Sequence, residues 1–412
     1  MKHALTRRQL LQGTAALGLA VPGLATTRNS LFAAQEGAAQ RSLVVVYLRG
    51  GADFLNMIVP RDERFYSLMR PGIGLVEDNA ALQLDSDWML HPSLGALKPL
   101  YDEKLLAPYV CTGSPHPTRS HFDAQDFMEF AAPGDRTVRS GWLNRYLEAT
   151  AQGEVSGFRA LAMQGLLPRS LRGTFPVLAV PPGFGGRGET NALDKFEDFY
   201  GSGDTMAPRD DEEADPVMQS GRVTIDTLRR FHEILGSAED GNFGYPKSRF
   251  GQGLQRIAHV LLSGEGLEVA GIDINGWDTH ANQGGATGTQ ARKLRDLGDG
   301  LAAFRKHLGA RMKHTVVVVM TEFGRTVLEN GSAGTDHGHG SGMLIFGGDV
   351  KGGEVHGEWK GLEPSQLYQS RDLPVHTDFR NVFGTLLREH FDFKAPRDFF
   401  PDYKSKRVHL FA

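Results

Sequence analysis

The chain has 412 residues, with 45 Lys and Arg against 49 Asp and Glu, a formal charge of −4, and 40% apolar and 23% charged residues. That balance excludes large-scale disorder and points away from nucleic acid, whose phosphates require clustered cations. A single cysteine, Cys111, excludes an internal disulfide, so stability rests on packing and a metal would have to be held by His, Asp and Glu.

The first segment reads as an address. Lys2, Arg7 and Arg8 precede an apolar run from Leu10 to Ala25 that is rich in Gly and Ala. It falls short of the about 20 strongly apolar residues that span hydrocarbon, so no permanent membrane span is expected. Thr6-Arg7-Arg8-Gln9-Leu10-Leu11 matches the twin-arginine pattern. Residues 1–34 are therefore expected to be a twin-arginine signal peptide and short linker, cut after Ala25 or near Ala33. The expected partner is the twin-arginine translocation machinery, and the expected destination is the periplasm or the extracellular space. Residues 35–412 are expected to form a single domain.

Leu43 to Leu48 is a continuous apolar run closed by Gly50-Gly51, which predicts a buried, parallel strand and its exit turn. Leu105 to Val110 is a second such run, and Cys111 after it reads as a small buried hydrophobe. Ser120 followed by Asp123 predicts a capping box and a helix through about Phe130. Residues 182–244 carry Gly and Pro at one end and the acid run Asp210 to Glu213, which predicts an inserted rim or lid with a helix around Val223 to Leu235. Leu267 to Ile274, Thr315 to Met320 and Met343 to Phe346 are further strands. Leu294, Leu297, Leu301 and Phe304 carry the period of a helix over Gln290 to Leu308, and Val382, Phe383, Leu386 and Leu387 that of one over Arg380 to Phe391. Buried strands alternating with helices predict an α/β sandwich of three layers, a mostly parallel central sheet with helices on both faces.

In such a sheet ligands bind beyond the carboxyl ends of the strands, and four polar clusters fall there. Asp53 follows Gly50-Gly51. His116, Arg119, Ser120 and His121 follow the second strand, with the Ser120 oxygen at a helix start as a plain cap or a nucleophile, Arg119 able to bind an anion, and His116 or His121 able to carry a proton. Asp278 and His280, two apart, can converge on one ion if the backbone is extended. Glu322 at an apolar strand tip needs a partner, either Arg325 or a cation, and Asp336, His337 and His339 follow with glycines between them. The metal candidates are therefore Asp53, Asp278, His280, Glu322, Asp336, His337 and His339, and the catalytic candidates are Ser120, Arg119, His116, His121 and Arg325. The expected cofactor is a divalent metal, zinc, manganese or calcium, as one or two ions.

Leu48 to Asp53, Arg119 to Gln125, Gly276-Trp277-Asp278-Thr279-His280, Thr321 to Arg325, Asp336 to Gly340 and Asp378-Phe379-Arg380 together resemble the DUF1501 family of exported bacterial proteins, across nearly the whole mature chain. That family is similar, more distantly, to the alkaline phosphatase, sulfatase and phosphoglycerate mutase superfamily. The resemblance implies an alkaline-phosphatase-like sandwich in which Asp53 is the first metal ligand, Ser120 the nucleophile, Asp278 and His280 a ligand pair, and His337 or His339 the last histidine. Glu322 takes the aspartate position of an Asp-His pair whose histidine is here Phe323, which leaves Asp336 to supply what Phe323 does not, and Asp278 and His280 stand closer together than the superfamily's pair. The activity implied is metal-dependent hydrolysis of phosphate or sulfate esters of a small molecule or glycan. The two departures imply the alternative, a non-catalytic metal-containing envelope or carbohydrate-binding protein with a degenerate site.

Overall fold

Valines pack well on a pleated surface covered on both faces, and Val44 to Val46 and Val316 to Val319 lie at the centre of the sheet. In the computed structural model they belong to β1 (Ser42–Arg49) and β9 (Thr315–Met320). The structure describes residues 40–75, 81–152, 156–181, 216–238 and 241–411, apart from the side chains of 216–223. The expected signal peptide at 1–34, and residues 182–215 of the expected rim, lie outside the described residues.

The other strands are β2 (Ile58–Pro60), β3 (Leu82–Gln83), β4 (Trp88–Leu90), β5 (Leu106–Gly113), β6 (Ala160–Ala162), β7 (Leu178–Ala179), β8 (Val269–Asn275), β10 (Ser341–Gly347) and β11 (Thr377–Asp378). Among the described residues eight of them form one sheet in the order β11-β5-β10-β9-β1-β8-β6-β7, and β2-β4-β3 form a small second sheet. In the large sheet only β10 runs antiparallel to its neighbours, β5 and β9. Val45 is paired with Gly271 on one side and Val318 on the other, so β1 is central.

The helices are α1 (Arg64–Met69), α2 (Lys98–Asp102), α3 (His121–Glu129), α4 (Trp142–Ala149), α5 (Pro216–Ser237), α6 (Arg249–Leu262), α7 (Thr289–Leu308) and α8 (Phe379–Thr385), the last continuing as a π turn, Leu386–His390. The alternation of β1 sorts them onto two faces. Val44, Val46 and Leu48 pack in one core with Leu254 and Ile257 of α6 and Leu294, Leu297 and Leu301 of α7. Leu43, Val45 and Tyr47 pack in the other with Trp142 and Leu143 of α4 and Val382 and Phe383 of α8. The fold is thus a mixed α/β sheet flanked by helices. Among the described residues no helix is long and apolar enough to cross a membrane.

One local expectation is corrected. The capping box at α3 does not form: Ser120 makes no side-chain cap hydrogen bond, and Asp123 pairs instead with Arg136 at 2.8 Å. Because β1, β5, β8 and β9 all point the same way, their carboxyl ends, Arg49, Gly113, Asn275 and Met320, lie along one edge of the sheet.

Candidate metal centre

The loops leaving that edge are brought together by backbone fit. Gly50 closes β1 with φ at 122°, and a Cβ there would lie 2.6 Å from the Asp278 backbone nitrogen. Only glycine lets the loop after β8 close over the tip of β1. Along that loop Trp277 and Thr279 are buried while Asp278 and His280 are exposed, the alternation of extended backbone. The loop after β9 folds back on itself: Arg325 is bridged to His337, and the Gly338 N–H donates to the Gly324 carbonyl at 2.8 Å. A Cβ on Gly338 would lie 2.5 Å from the Arg325 carbonyl, so this glycine serves close backbone packing and not the wrapping of an ion.

Three side chains, one from the start of α3 and two from the loops after β8 and β9, meet here. His121, Asp278 and His337 each offer a ligand atom within 4.8 Å of the others. Asp278 Oδ1 lies 2.8 Å from Arg325 Nη1 and 3.0 Å from Nε2 of both His280 and His337. Its Oδ2 lies 3.4 Å from His121 Nε2. Burial pushes the Asp278 carboxyl up, but hydrogen bonds from Arg325 and His337 overcome it and hold it down at about 2.

The opposite face of each ring is fixed. His121 Nδ1 lies 2.8 Å from Glu322 Oε1, His280 Nδ1 2.9 Å from Asp336 Oδ1, and His337 Nδ1 2.9 Å from the Arg119 carbonyl. Each partner accepts, so each Nδ1 carries a hydrogen and each ring turns its Nε2 inward toward Asp278, able to donate to that carboxylate when it carries a hydrogen and to ligate a cation when it does not. The Nε2 atoms of His280 and His337 are 3.0 Å apart. Two lone pairs at that distance require a cation between them, a proton or a metal. His121 Nε2 is buried and has no hydrogen-bond partner. An orphaned imidazole nitrogen beside a carboxylate fits a metal ligand, and the residues present accordingly suit such an ion.

Glu322 is the strongest of the outer supports. It is buried, and its Oε1 accepts from the Gly50 N–H at 2.9 Å and from Gln125 Nε2 at 3.0 Å as well as facing His121, while Oε2 accepts from the Thr321 hydroxyl at 3.0 Å. Burial pushes its carboxyl up, yet these bonds, that of His121 foremost, leave it below the ordinary range. His121 is correspondingly pushed up, first by its hydrogen bond to Glu322. His337 is pushed down by burial.

Other expected site residues go elsewhere. Asp53 is 2% exposed, and both its oxygens are engaged, by Arg70 at 2.7 and 3.1 Å and by Gln283 Nε2 at 2.7 Å, so it is paired within the protein and stands outside the three-residue cluster. Glu322 and Asp336 hold imidazoles and do not belong to the three-residue cluster. His339 is buried against the Tyr368 ring, with centroids 4.2 Å apart, and its pKa is pushed down to about 4 by that burial. His116 packs edge-on to Phe127 and accepts from the Thr118 N–H. The Arg119 guanidinium is taken by Asp372 at 2.5 Å, leaving only its carbonyl at the centre, and Arg325 is fully buried on Asp278 and Thr335. Ser120 is exposed beside His121.

Residues 40–397 match the family described as a protein of unknown function, DUF1501. The chain belongs to DUF1501. No curated protein matches it. Among solved structures this DUF1501 chain is similar to the C-terminal periplasmic domain of EcEptC from Escherichia coli, crystallised in complex with Zn. The identity is 11% and the TM-score 0.31, over 80% of this chain and 78% of that one.

In the sequence His121 reads as a proton carrier and not a metal ligand, and Gln125, Arg70 and Gln283 carry no expected role. His121 and Gln125 stand four apart on α3, and so share a helix face; both reach Glu322, and that spacing was the available signal. Arg70 lies 17 residues from Asp53 with no motif between them, so nothing local announced the pair.

Proposed function

We propose that this DUF1501 chain is an exported metal-dependent hydrolase of phosphate or sulfate esters. The observation that carries the reading is the convergence of three Nδ1-anchored histidines on Asp278. His121, Asp278 and His337 would hold the metal, with His280 in reach as a fourth ligand. The imidazole-rich set favours zinc or manganese over calcium, which prefers all-oxygen sites. A bound metal would supply Lewis-acid polarisation of an ester oxygen and a lowered pKa for a hydroxyl or water.

The chain supplies the rest. Arg325 keeps Asp278 ionised. The Ser120 hydroxyl, free of any capping role, stands at the amino end of the nine-residue α3 as the nucleophile, beside backbone N–H groups that favour an anion. Export by the twin-arginine route to the periplasm or beyond belongs to the same proposal and rests on Arg7 and Arg8 ahead of the apolar run.

One observation favours a second reading. With Asp53 on Arg70 and Arg119 on Asp372, neither the expected first ligand nor the expected anion-binding arginine is free, as suits an envelope or carbohydrate-binding protein that holds metal without turnover. The two readings separate on elemental analysis of protein purified from the exporting cell, combined with rates on nitrophenyl phosphate and nitrophenyl sulfate. The hydrolase reading expects about one metal per chain and a fall of at least about 100-fold in Ser120→Ala and Asp278→Ala. Full activity in both variants would overturn it, and metal without any ester cleavage would select the second reading.

A further inference from the structure

The opposite edge of the sheet has a feature that the metal centre does not use. A cavity of about 560 Å³ lies at the amino ends of β1 and β9, bounded by Arg41, Lys313, Asp349, Arg388, Glu389 and Arg407 among others. Eight residues of β1, at about 3.3 Å each, separate it by about 25 Å from the metal centre. Its volume is that of an ordinary small-molecule site, not of a single trapped water.

Its charge runs against that of the chain. Arg407 neutralises Glu389 at 2.5 Å. That leaves Arg41, Lys313 and Arg388 facing Asp349, a surplus of two positive charges in a chain whose total is −4. Cations near helix ends ordinarily complement exposed carbonyls, and Arg41 does so, donating to the carbonyls of Glu389 at 2.9 Å and His390 at 2.5 Å. That explanation stops there. Lys313 and Arg388 make no ion pair among the described residues. Next to the cavity, Arg311 gives one Nη to the Ser42 hydroxyl at 2.8 Å, while its other Nη is buried with no hydrogen-bond partner. Ser42 in turn is joined to the wall residue His390, whose Nε2 donates to the Ser42 carbonyl at 2.9 Å.

We propose that this cavity binds a phosphate group carrying two negative charges, either free in solution or as part of a larger molecule. Surplus charge and volume call for the same occupant, and the arginines of the wall carry the fork that suits it. The test is calorimetric titration of the full protein with sodium pyrophosphate at fixed ionic strength, against sodium chloride. It is repeated on Lys313→Ala/Arg388→Ala, both exposed positions whose removal leaves the core intact, and on Asp278→Asn. The expected result is saturable binding in the wild type and in Asp278→Asn, weakened at least tenfold in the double variant. A parallel arm measures cosedimentation with phosphatidic acid vesicles against phosphatidylcholine vesicles. Cosedimentation lost in the double variant assigns the phosphate to a lipid headgroup, and pyrophosphate binding without it assigns a soluble ligand. Equal affinity in the double variant, binding abolished by Asp278→Asn alone, or no binding in either arm overturns the proposal.

Discussion

At the scale of single residues, Asp278 is the point on which the centre depends: one of its oxygens faces Arg325, His280 and His337 together. Asp278→Asn keeps the shape but halves the acceptor capacity and removes the charge. It is expected to lower metal affinity by at least about 100-fold, with an unchanged far-ultraviolet spectrum because the side chain is 41% exposed, and isothermal titration with zinc checks this. Glu322→Gln should be milder, about 10–100-fold in the same titration, since it loosens the His121 ring without deleting a ligand. Breaking the buried Asp53–Arg70 pair acts on stability instead. Arg70→Met strands a carboxylate and should cost about 3–5 kcal/mol in urea unfolding. Asp278, His280 and His337 were legible in the sequence because each follows a strand end in a polar, glycine-bearing loop. Asp53 occupies the same kind of position and is paired with Arg70 instead of joining the cluster, because strand-end placement does not say whether an arginine from a helix end will arrive first.

At the scale of elements, legibility followed length and burial. The all-valine centre of β9 gave Thr315–Met320 at its observed bounds, and the period of Leu294, Leu297, Leu301 and Phe304 gave α7 within a residue. Helix α6 carries a similar period in Phe250, Leu254, Ile257 and Leu261 and was not among the expected elements. Strands β6, β7 and β11 have two or three residues each, too few to show any period, and only pairing in the folded sheet defines them. The elements also differ in what they do for the centre. Gly50→Ala, at the tip of β1, forces its new carbon against the Asp278 backbone and should weaken zinc binding at least about tenfold while straining the fold by about 1–3 kcal/mol. Leu297→Ala in α7 should destabilise by about 2–5 kcal/mol through a cavity under the sheet and leave the zinc stoichiometry of the folded fraction unchanged. Titrating both variants separates a residue that shapes the site from one that only holds the layers together.

At the scale of the whole molecule, acid should unfold the protein in two windows. His390 is buried with its Nε2 on the Ser42 carbonyl, and burial pushes its pKa down to about 4 from 6.5; His339 is pushed down to about 4 in the same way. Above pH 6.5 these rings are neutral in both the folded and unfolded chain and contribute no pH dependence. Between pH 6.5 and 4 the unfolded chain takes up protons that the folded chain refuses, so stability falls as pH falls, by about 1.4 kcal/mol per pH unit for each such ring. Below about 4 both states are protonated and the loss levels off. Asp278 acts in a lower window: its folded pKa of about 2 lies below the ordinary 3.8, so its contribution is present above 3.8 and is lost as pH falls through 2. Urea midpoints measured from about pH 8 down to about pH 2 in a chelating buffer check the order. His390→Gln keeps a donor for the Ser42 carbonyl but cannot titrate, and it should take its own share, about 1.4 kcal/mol per pH unit, out of the slope of the upper window while leaving the share of His339 and the lower window in place. An upper window of unchanged slope in that variant would mean that the strap from the π turn to the first strand opens before its histidine is protonated.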